Sequence, residues 1–325
     1  MTDETTVAEA DEAQETKHEP LPDGIYFGLD EKRYHADPAL GSSLIKQLIT
    51  DPAEYWWDQM VPKDRPDTSS RIFGSAIHKY VLEGSDAFHR AYGVAKLKAN
   101  TKDGRAEAEE IRASGRIRIK EDDHARITAA GTFIRANPHV SKAFGGGMPE
   151  VSMFRTERIG DVDVRLKARF DYLKPRSIVD LKSVAPFADA SFGASWRRAI
   201  RYWRYHVQAT AYLDMRAHLG RMVSDGMVYG DHDAAWLKRV AGNDVSAFAF
   251  VFWASSGAPL SGGGYLSPGN PMLDRGRRDV DRGLEAYVRC VKEFGPDTAW
   301  ITPEPFSELD EMEVLEWWRV DAEKL

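Results

Sequence analysis

Hydrophobic and polar positions change period along this chain, and the changes mark its elements. Between Val162 and Tyr172 apolar residues fall at every second position, the spacing of a half-buried strand. That pattern predicts three strands, at 150–157, 162–173 and 177–183, with a turn at Lys174-Pro175-Arg176. Val245 to Ala254, carrying Phe248, Phe250, Phe252 and Trp253, predicts a further, buried strand. Elsewhere the period is helical. Phe73, Ile77, Val81 and Leu82 share one face of a helix predicted over Thr68–Glu83. Helices are also predicted over Glu121–Ala136, roughly 195–219, and Arg275–Phe294. Gly24–Leu29 predicts a short strand or loop, and a helix capped near Ser42 or Ser43 runs past Pro52 with a break. Lys96–Gly115 is strongly charged, which fits either an arch over a cleft or a solvated loop and helix. The pattern is α/β: helices on a small mixed sheet, with a site at the exposed ends of the central strands.

The hairpin over 162–183 carries the chemistry. Asp171 and Asp180 are nine positions apart, flanked by apolar residues, so a tight turn brings them together. Lys182 shares a strand face with Asp180. Mg²⁺ takes oxygen ligands and is usually held by one or two carboxylates plus substrate phosphate. A lysine beside two carboxylates stays protonated, which gives Lys182 an electrostatic role. A solvated hairpin with ordinary surface charges is the alternative.

The ordered set of motifs resembles the PD-(D/E)XK nuclease superfamily, whose fold is a restriction-endonuclease-like core. Asp171 and Asp180-Leu181-Lys182 stand in its signature positions, with Asp where Glu is usual. Gly74-Ser75-Ala76-Ile77-His78 is similar to the Gly-x-x-x-His helix of the RecB-like branch, and Gln208-Ala209-Thr210-Ala211-Tyr212 to its Gln-x-x-x-Tyr helix. Tyr34 to Trp56 resembles the opening of phage and prophage exonucleases of the exodeoxyribonuclease VIII (RecE) type. The resemblance implies metal ligands His78, Asp171 and Asp180, and a catalytic group of Lys182, Asp180, Asp171, Glu150, Gln208 and Tyr212. Glu150 opens the first strand, where relatives bring a glutamate to the metal, often through water. The implied metal is Mg²⁺, with Mn²⁺ a substitute. Each helix also has a plain reading, as a core histidine or an amphipathic face. Gly74, one turn before His78, allows close approach of a backbone or of metal and phosphate.

Net charge is −7, which does not suggest DNA binding until its distribution is seen. Residues 1–23 carry net −7 and residues 304–325 net −6, leaving +6 on the body between. Ser195 to Tyr205 interleaves arginine with aromatics, as phosphate contact and base stacking require. Arg197, Arg201 and Arg204 fall near one helix face, and Arg169 stands on the central strand, where it suits phosphate contact or an edge-strand charge. The expected organisation is a disordered acidic segment (1–23), a nuclease domain (24–303) and an acidic tail (304–325). In that tail Leu315, Trp317 and Trp318 could dock on the body or a neighbouring subunit. Cys290, the single cysteine, excludes a disulfide framework within the chain and a four-cysteine iron–sulfur cluster. No membrane-length apolar run or signal-peptide pattern occurs, and a bacterial cytoplasm is expected.

By resemblance, the expected activity is digestion of linear double-stranded DNA ends, 5′ to 3′, leaving single-stranded tails for phage-type recombination. The implied partners are a RecT-type single-strand annealing protein and copies of the chain in a ring. Alternatives are a nuclease of other polarity, an endonuclease, a non-catalytic DNA-binding protein of the same fold, or accidental motifs. Accidental motifs would leave His78 far from Asp171 and Asp180.

Overall fold

A computed structural model describes residues 19–61, 68–244, 247–301 and 306. Nine strands occur among these residues: β1 (Gly24–Tyr26), β2 (Tyr92–Ala95), β3 (Ile117–Lys120), β4 (Met148–Ile159), β5 (Val162–Leu173), β6 (Ser177–Val184), β7 (Val228–Tyr229), β8 (Ala247–Ala254) and β9 (Ser261–Leu266). Seven form one mixed sheet in the order β7-β1-β4-β5-β6-β8-β9, and β2 and β3 form a small parallel pair. The fold class is the expected one: a central mixed sheet between helices.

Both faces of the sheet are covered, and each has its own core. On one face Phe170, Phe248, Phe250 and Phe252 pack against Ile45, Trp196, Val207 and Val280, from four helices. On the other, Val179, Leu181, Val251 and Trp253 meet Ala76, Ile77, Ile127 and Ile134. β6 and β8 run parallel over eight register pairs, Ser177↔Ala247 to Val184↔Ala254. Strands buried on both faces read as near-continuous apolar runs, as β8 does.

The paired strands part where the carboxylates lie. β4 and β5 are in register over eleven pairs, but β5 and β6 over only two, Tyr172↔Val179 and Leu173↔Ile178. Beyond that point Leu40 takes the place of β6 beside β5. Its N–H donates to Arg165 O at 2.8 Å, and its carbonyl accepts from Lys167 N at 3.0 Å. The wedge so opened between β5 and β6 is accessible to helices from both faces.

Two of the predicted helices depart from expectation in instructive ways. The predicted 195–219 helix is two, Phe192–Tyr202 and Tyr205–Ala217, because Arg204 adopts left-handed backbone (φ 49°). Arg197, Arg201 and Arg204 therefore do not share one helical face. Arg197 folds back on Gly193 O (3.0 Å) and lies over Trp196, whereas Arg204 reaches Thr50 Oγ1 (3.4 Å). The predicted 68–83 helix is α from Ser69 to His78, then widens to a π-turn over Lys79–Glu83, a deviation frequent at functional sites. The break near Pro52 lies as expected. Asp51 caps the second piece by accepting from Ala53 N (2.9 Å), with Pro52 in the first turn. The helix before it is preceded by Gly41, without a side-chain cap.

The ordered body begins before Gly24. Leu21 N–H donates to Asp37 Oδ2 at 2.7 Å, and Asp23 bonds Thr156 N–H and Arg165. The charged 96–115 segment is a loop and the helix Lys102–Ala113, tied together by Glu107, which accepts from Lys96 N and Leu97 N. Of the segment 1–23 expected to be disordered, residues 1–18 fall outside the described residues, as does docking by Leu315, Trp317 and Trp318. No described helix is long and apolar enough to cross a membrane.

The closing helix Pro271–Phe294 packs backbone to backbone on the larger core's helices. A Cβ at Gly276 would stand 2.6 Å from the His206 carbonyl oxygen, which has no room to yield. Gly276→Ala is therefore expected to destabilise the fold by about 1–3 kcal/mol, the ordinary cost of overpacking. Urea unfolding measures it, and an unchanged midpoint would contradict this packing.

Candidate active site

At the wedge the sheet loses its regularity in two adjacent strands. Continuing the registers puts Glu150 opposite Asp171 and Asp171 opposite Asp180, yet none of these pairs is laddered. Glu150 has left-handed backbone (φ 55°), costly for a non-glycine residue and often found where function demands it. Alternation reverses there too: Phe170 and Leu173, three apart, both face the larger core. Asp171 bridges the gap with its side chain. Its Oδ2 accepts the Leu181 backbone N–H at 2.8 Å, where a regular ladder would supply a carbonyl.

One helix from each sheet face completes the site. The Ser69–His78 helix, anchored by Ala76 and Ile77 in the second core, places His78 Nδ1 3.7 Å from Asp171 Oδ2. The space beside Gly74 is open: apart from its chain neighbours and the backbone of its own helix, no described atom would lie within 4 Å of a Cβ there. The Tyr205–Ala217 helix, anchored by Val207 and Ala209, brings Gln208 to donate to Asp180 Oδ1 at 2.7 Å. The Tyr212 hydroxyl lies against the Arg169 backbone and the Gln208 side chain.

Ligand atoms of His78, Glu150 and Asp171 all lie within 4.8 Å of one another. One imidazole and two carboxylates at that spacing suit a divalent cation. The sequence reading named His78, Asp171 and Asp180 as ligands, with Glu150 in a lesser part. The geometry instead groups Glu150 with His78 and Asp171, while each Asp180 oxygen has a neighbour. Gln208 takes Oδ1, and Lys182 Nζ sits 2.7 Å from Oδ2. Asp180 has no solvent exposure, and its Oδ2 has no partner beyond the Lys182 ammonium, so a buried oxygen keeps a lone pair to spare. The donor set thus fits a metal, with Asp180 at its margin.

Arg169 is turned inward. Its Nε donates to Glu150 Oε2 at 2.6 Å, and its Nη1 to Leu29 O and Ser152 Oγ. Those acceptors are part-buried, so they hold the guanidinium in place and it orients Glu150 instead of facing solvent. Sequence reasoning missed two neighbours, Lys46 and Tyr205. Lys46 Nζ lies 5.8 Å and Lys182 Nζ 5.4 Å from the centre of the Tyr205 ring. Burial, with Lys182 nearby, draws Lys46 down to about 8. Nothing in the sequence signals it, because Lys46 comes from a helix over a hundred residues earlier.

Burial dominates the electrostatics. It pushes the Asp171 and Asp180 carboxyls up to about 6; Glu150 adds to the effect on Asp171 and Asp171 to that on Asp180, while Lys182 opposes both. Burial would lower Lys182, but Asp180 and Asp171 outweigh it and raise the lysine above its ordinary value, so it stays protonated. His78 is lowered by burial, which keeps its imidazole neutral and able to ligate. Tyr212 is raised by burial and by Asp180, and stays a phenol.

These directions fix a pH dependence. Both aspartates titrate higher folded than unfolded, so their contribution to stability is complete below pH 3.8 and is lost as pH rises through about 6. Above that, the metal-free site carries buried negative charge that Lys182 only partly offsets, and a cation relieves the rest. Below it, protons compete with the cation. The rise in melting temperature given by Mn²⁺ over chelator is expected to be large at pH 7.5 and small at pH 5. Scanning fluorimetry reads it, and equal rises at both pH values would contradict the assignment.

Comparison with known proteins agrees with this geometry. A family model described as a PDDEXK-like domain of unknown function (DUF3799) matches residues 41–224. That span contains His78, Glu150, Asp171, Asp180, Lys182, Gln208 and Tyr212. Among solved structures, the chain resembles a protein named "putative exonuclease" from Eubacterium rectale, with TM-score 0.50, 14% identity, and coverage of 90% of this chain and 99% of that one. The protein SSO0001 is more distant, with TM-score 0.25, 10% identity, and coverage of 74% and 84%. No curated protein matches the chain by sequence.

Proposed function

Because the chain belongs to the PDDEXK-like domain family DUF3799, we propose that it is a metal-dependent DNA exonuclease that digests linear duplex ends. The observation that carries this reading is the convergence of His78, Glu150 and Asp171 on one point, with Asp180 and Lys182 beside it. A non-catalytic descendant of the fold would have no need to keep so costly a set of buried charges. The name of the Eubacterium rectale relative favours an exonuclease over an endonuclease.

In this reading His78, Glu150 and Asp171 hold Mg²⁺ or Mn²⁺, and Asp180 adds its spare oxygen. The bound ion would polarise the scissile phosphate and lower the pKa of a coordinated water. Lys182, fixed as a cation between Asp180 and the Tyr205 ring, neutralises charge that builds on the phosphate oxygens. Gln208 keeps Asp180 in place, Arg169 keeps Glu150 in place, and the Tyr212 phenol fixes the Gln208 amide. The resemblance to RecE-type enzymes supports 5′ to 3′ polarity and delivery of the remaining strand to a RecT-type annealing protein.

The test compares linear, nicked and closed-circular duplex, labelled at 5′ or 3′ ends, in Mg²⁺ and in chelator. Early release of the 5′ label from linear DNA alone, only with metal, is the expected result. Release of the 3′ label first would reverse the polarity. Cutting of closed circles would replace exonuclease with endonuclease.

A further inference from the structure

On either side of Tyr205, whose ring faces Lys182, the chain lines a cavity whose charged residues are mostly arginine. It is open and about 310 Å³ in volume, at the small end of ligand pockets. Arg201 and Arg204 enter from the corner between the helices Phe192–Tyr202 and Tyr205–Ala217. Arg275 and Arg282 enter from the closing helix, seven residues and so two turns apart on one face. Between them lies Asp279, only 4% exposed, whose Oδ2 is 2.9 Å from His206 Nε2 and accepts from Arg275 Nε at 3.1 Å. Four guanidinium groups thus face one carboxylate that is already engaged. Among the described residues the side chains of Arg201 and Arg282 have no ion-pair or hydrogen-bond partner.

Like charges gathered around a concave surface repel, and a bound anion removes that cost. Guanidinium forks match phosphate oxygens in geometry as well as charge. The position ties the cavity to the reaction. Tyr205 packs its ring on Lys182, and its chain neighbours Arg204 and His206 both line the cavity. Tyr202 and Trp203, 71% and 57% exposed, stand at the same corner, where apolar rings are free to stack on bases. Arg275 and Arg282 lie outside the 41–224 span that the family model matches, on the helix Pro271–Phe294.

We propose that this cavity is a phosphate-binding subsite, which seats a phosphate of the DNA substrate while another phosphate lies at Lys182. The subsite rests on the nuclease reading for its ligand. Two sources share the chemistry: a phosphodiester within the strand and a phosphomonoester at its end.

The full chain in chelator, where no cutting occurs, is titrated with short duplexes carrying an internal fluorophore. Their ends bear 5′-phosphate, 3′-phosphate or only hydroxyls. Binding is read by anisotropy over a range of salt concentrations. The double variant Arg201→Gln/Arg282→Gln changes exposed, unpartnered side chains, and its melting temperature is compared with that of the parent. Loss of about tenfold in affinity, with the salt slope lowered by about one, is expected. Equal loss on all three duplexes assigns an internal phosphodiester; loss confined to one phosphorylated end assigns a terminal group. Unchanged affinity and slope on every duplex would overturn the subsite, as would a parent protein that binds none of them. Digestion by the parent in Mg²⁺ is scored separately. Its absence, with the arginine effect intact, would overturn the nuclease reading and leave the subsite standing.

Discussion

Asp171→Asn is expected to remove metal-dependent DNA digestion while making the metal-free protein more stable. Loss of a carboxylate ligand forfeits several kcal/mol of charge stabilisation, and at 1.36 kcal/mol per decade turnover falls ~10³-fold or more. The stability effect has the opposite sign. Asp171 titrates near 6 because burial penalises its charge, so at pH 7.5 the ionised group costs folding energy without a cation. Asparagine removes the charge yet keeps a carbonyl oxygen to accept the Leu181 N–H. Activity and the melting temperature in chelator, measured on one preparation, check both signs. An Asp171 that serves only to brace the sheet would lower the two together.

Lys182→Met tests the electrostatic role assigned to the lysine. Removing one preorganised positive group at a developing charge is expected to cost ~10²–10³ in kcat. A second readout separates this from simple structural damage. Lys182 restrains the rise in the Asp180 carboxyl, so without it Asp180 titrates higher. The acid limb of the pH–rate profile is expected to move toward neutral pH. A lower kcat with an unmoved acid limb would place Lys182 outside the charge network of the site.

Much of this arrangement can be read from the chain because strand alternation and a proline turn are local signals. The 162–183 hairpin fixes which residues face which, and so brings Asp171 and Asp180 to one level. The parting of β5 and β6 does not follow from the hairpin, since it depends on Leu40 pairing with β5 from over a hundred residues away. That parting lets His78 and Gln208 reach the site from opposite faces of the sheet. The corner at Arg204 is equally illegible: neither glycine nor proline stands at 203 or 204, and the flanking periodicity is continuous. The place of Glu150 among the ligands depends on its left-handed backbone, for which a glutamate at a strand start gives no hint. Arg169 looked available to DNA because its partner, Glu150, lies on the neighbouring strand. Lys46 and the arginines of the closing helix join the site region only through packing of helices distant in sequence.

The account depends on a single cation held where two strands separate. Crystals of the protein soaked in Mn²⁺, with anomalous differences collected at the manganese edge, locate that ion directly. The expected result is one strong peak about 2 Å from His78, Glu150 and Asp171 ligand atoms. A fully loaded crystal with no peak between these side chains, or with its only peaks elsewhere, would contradict it.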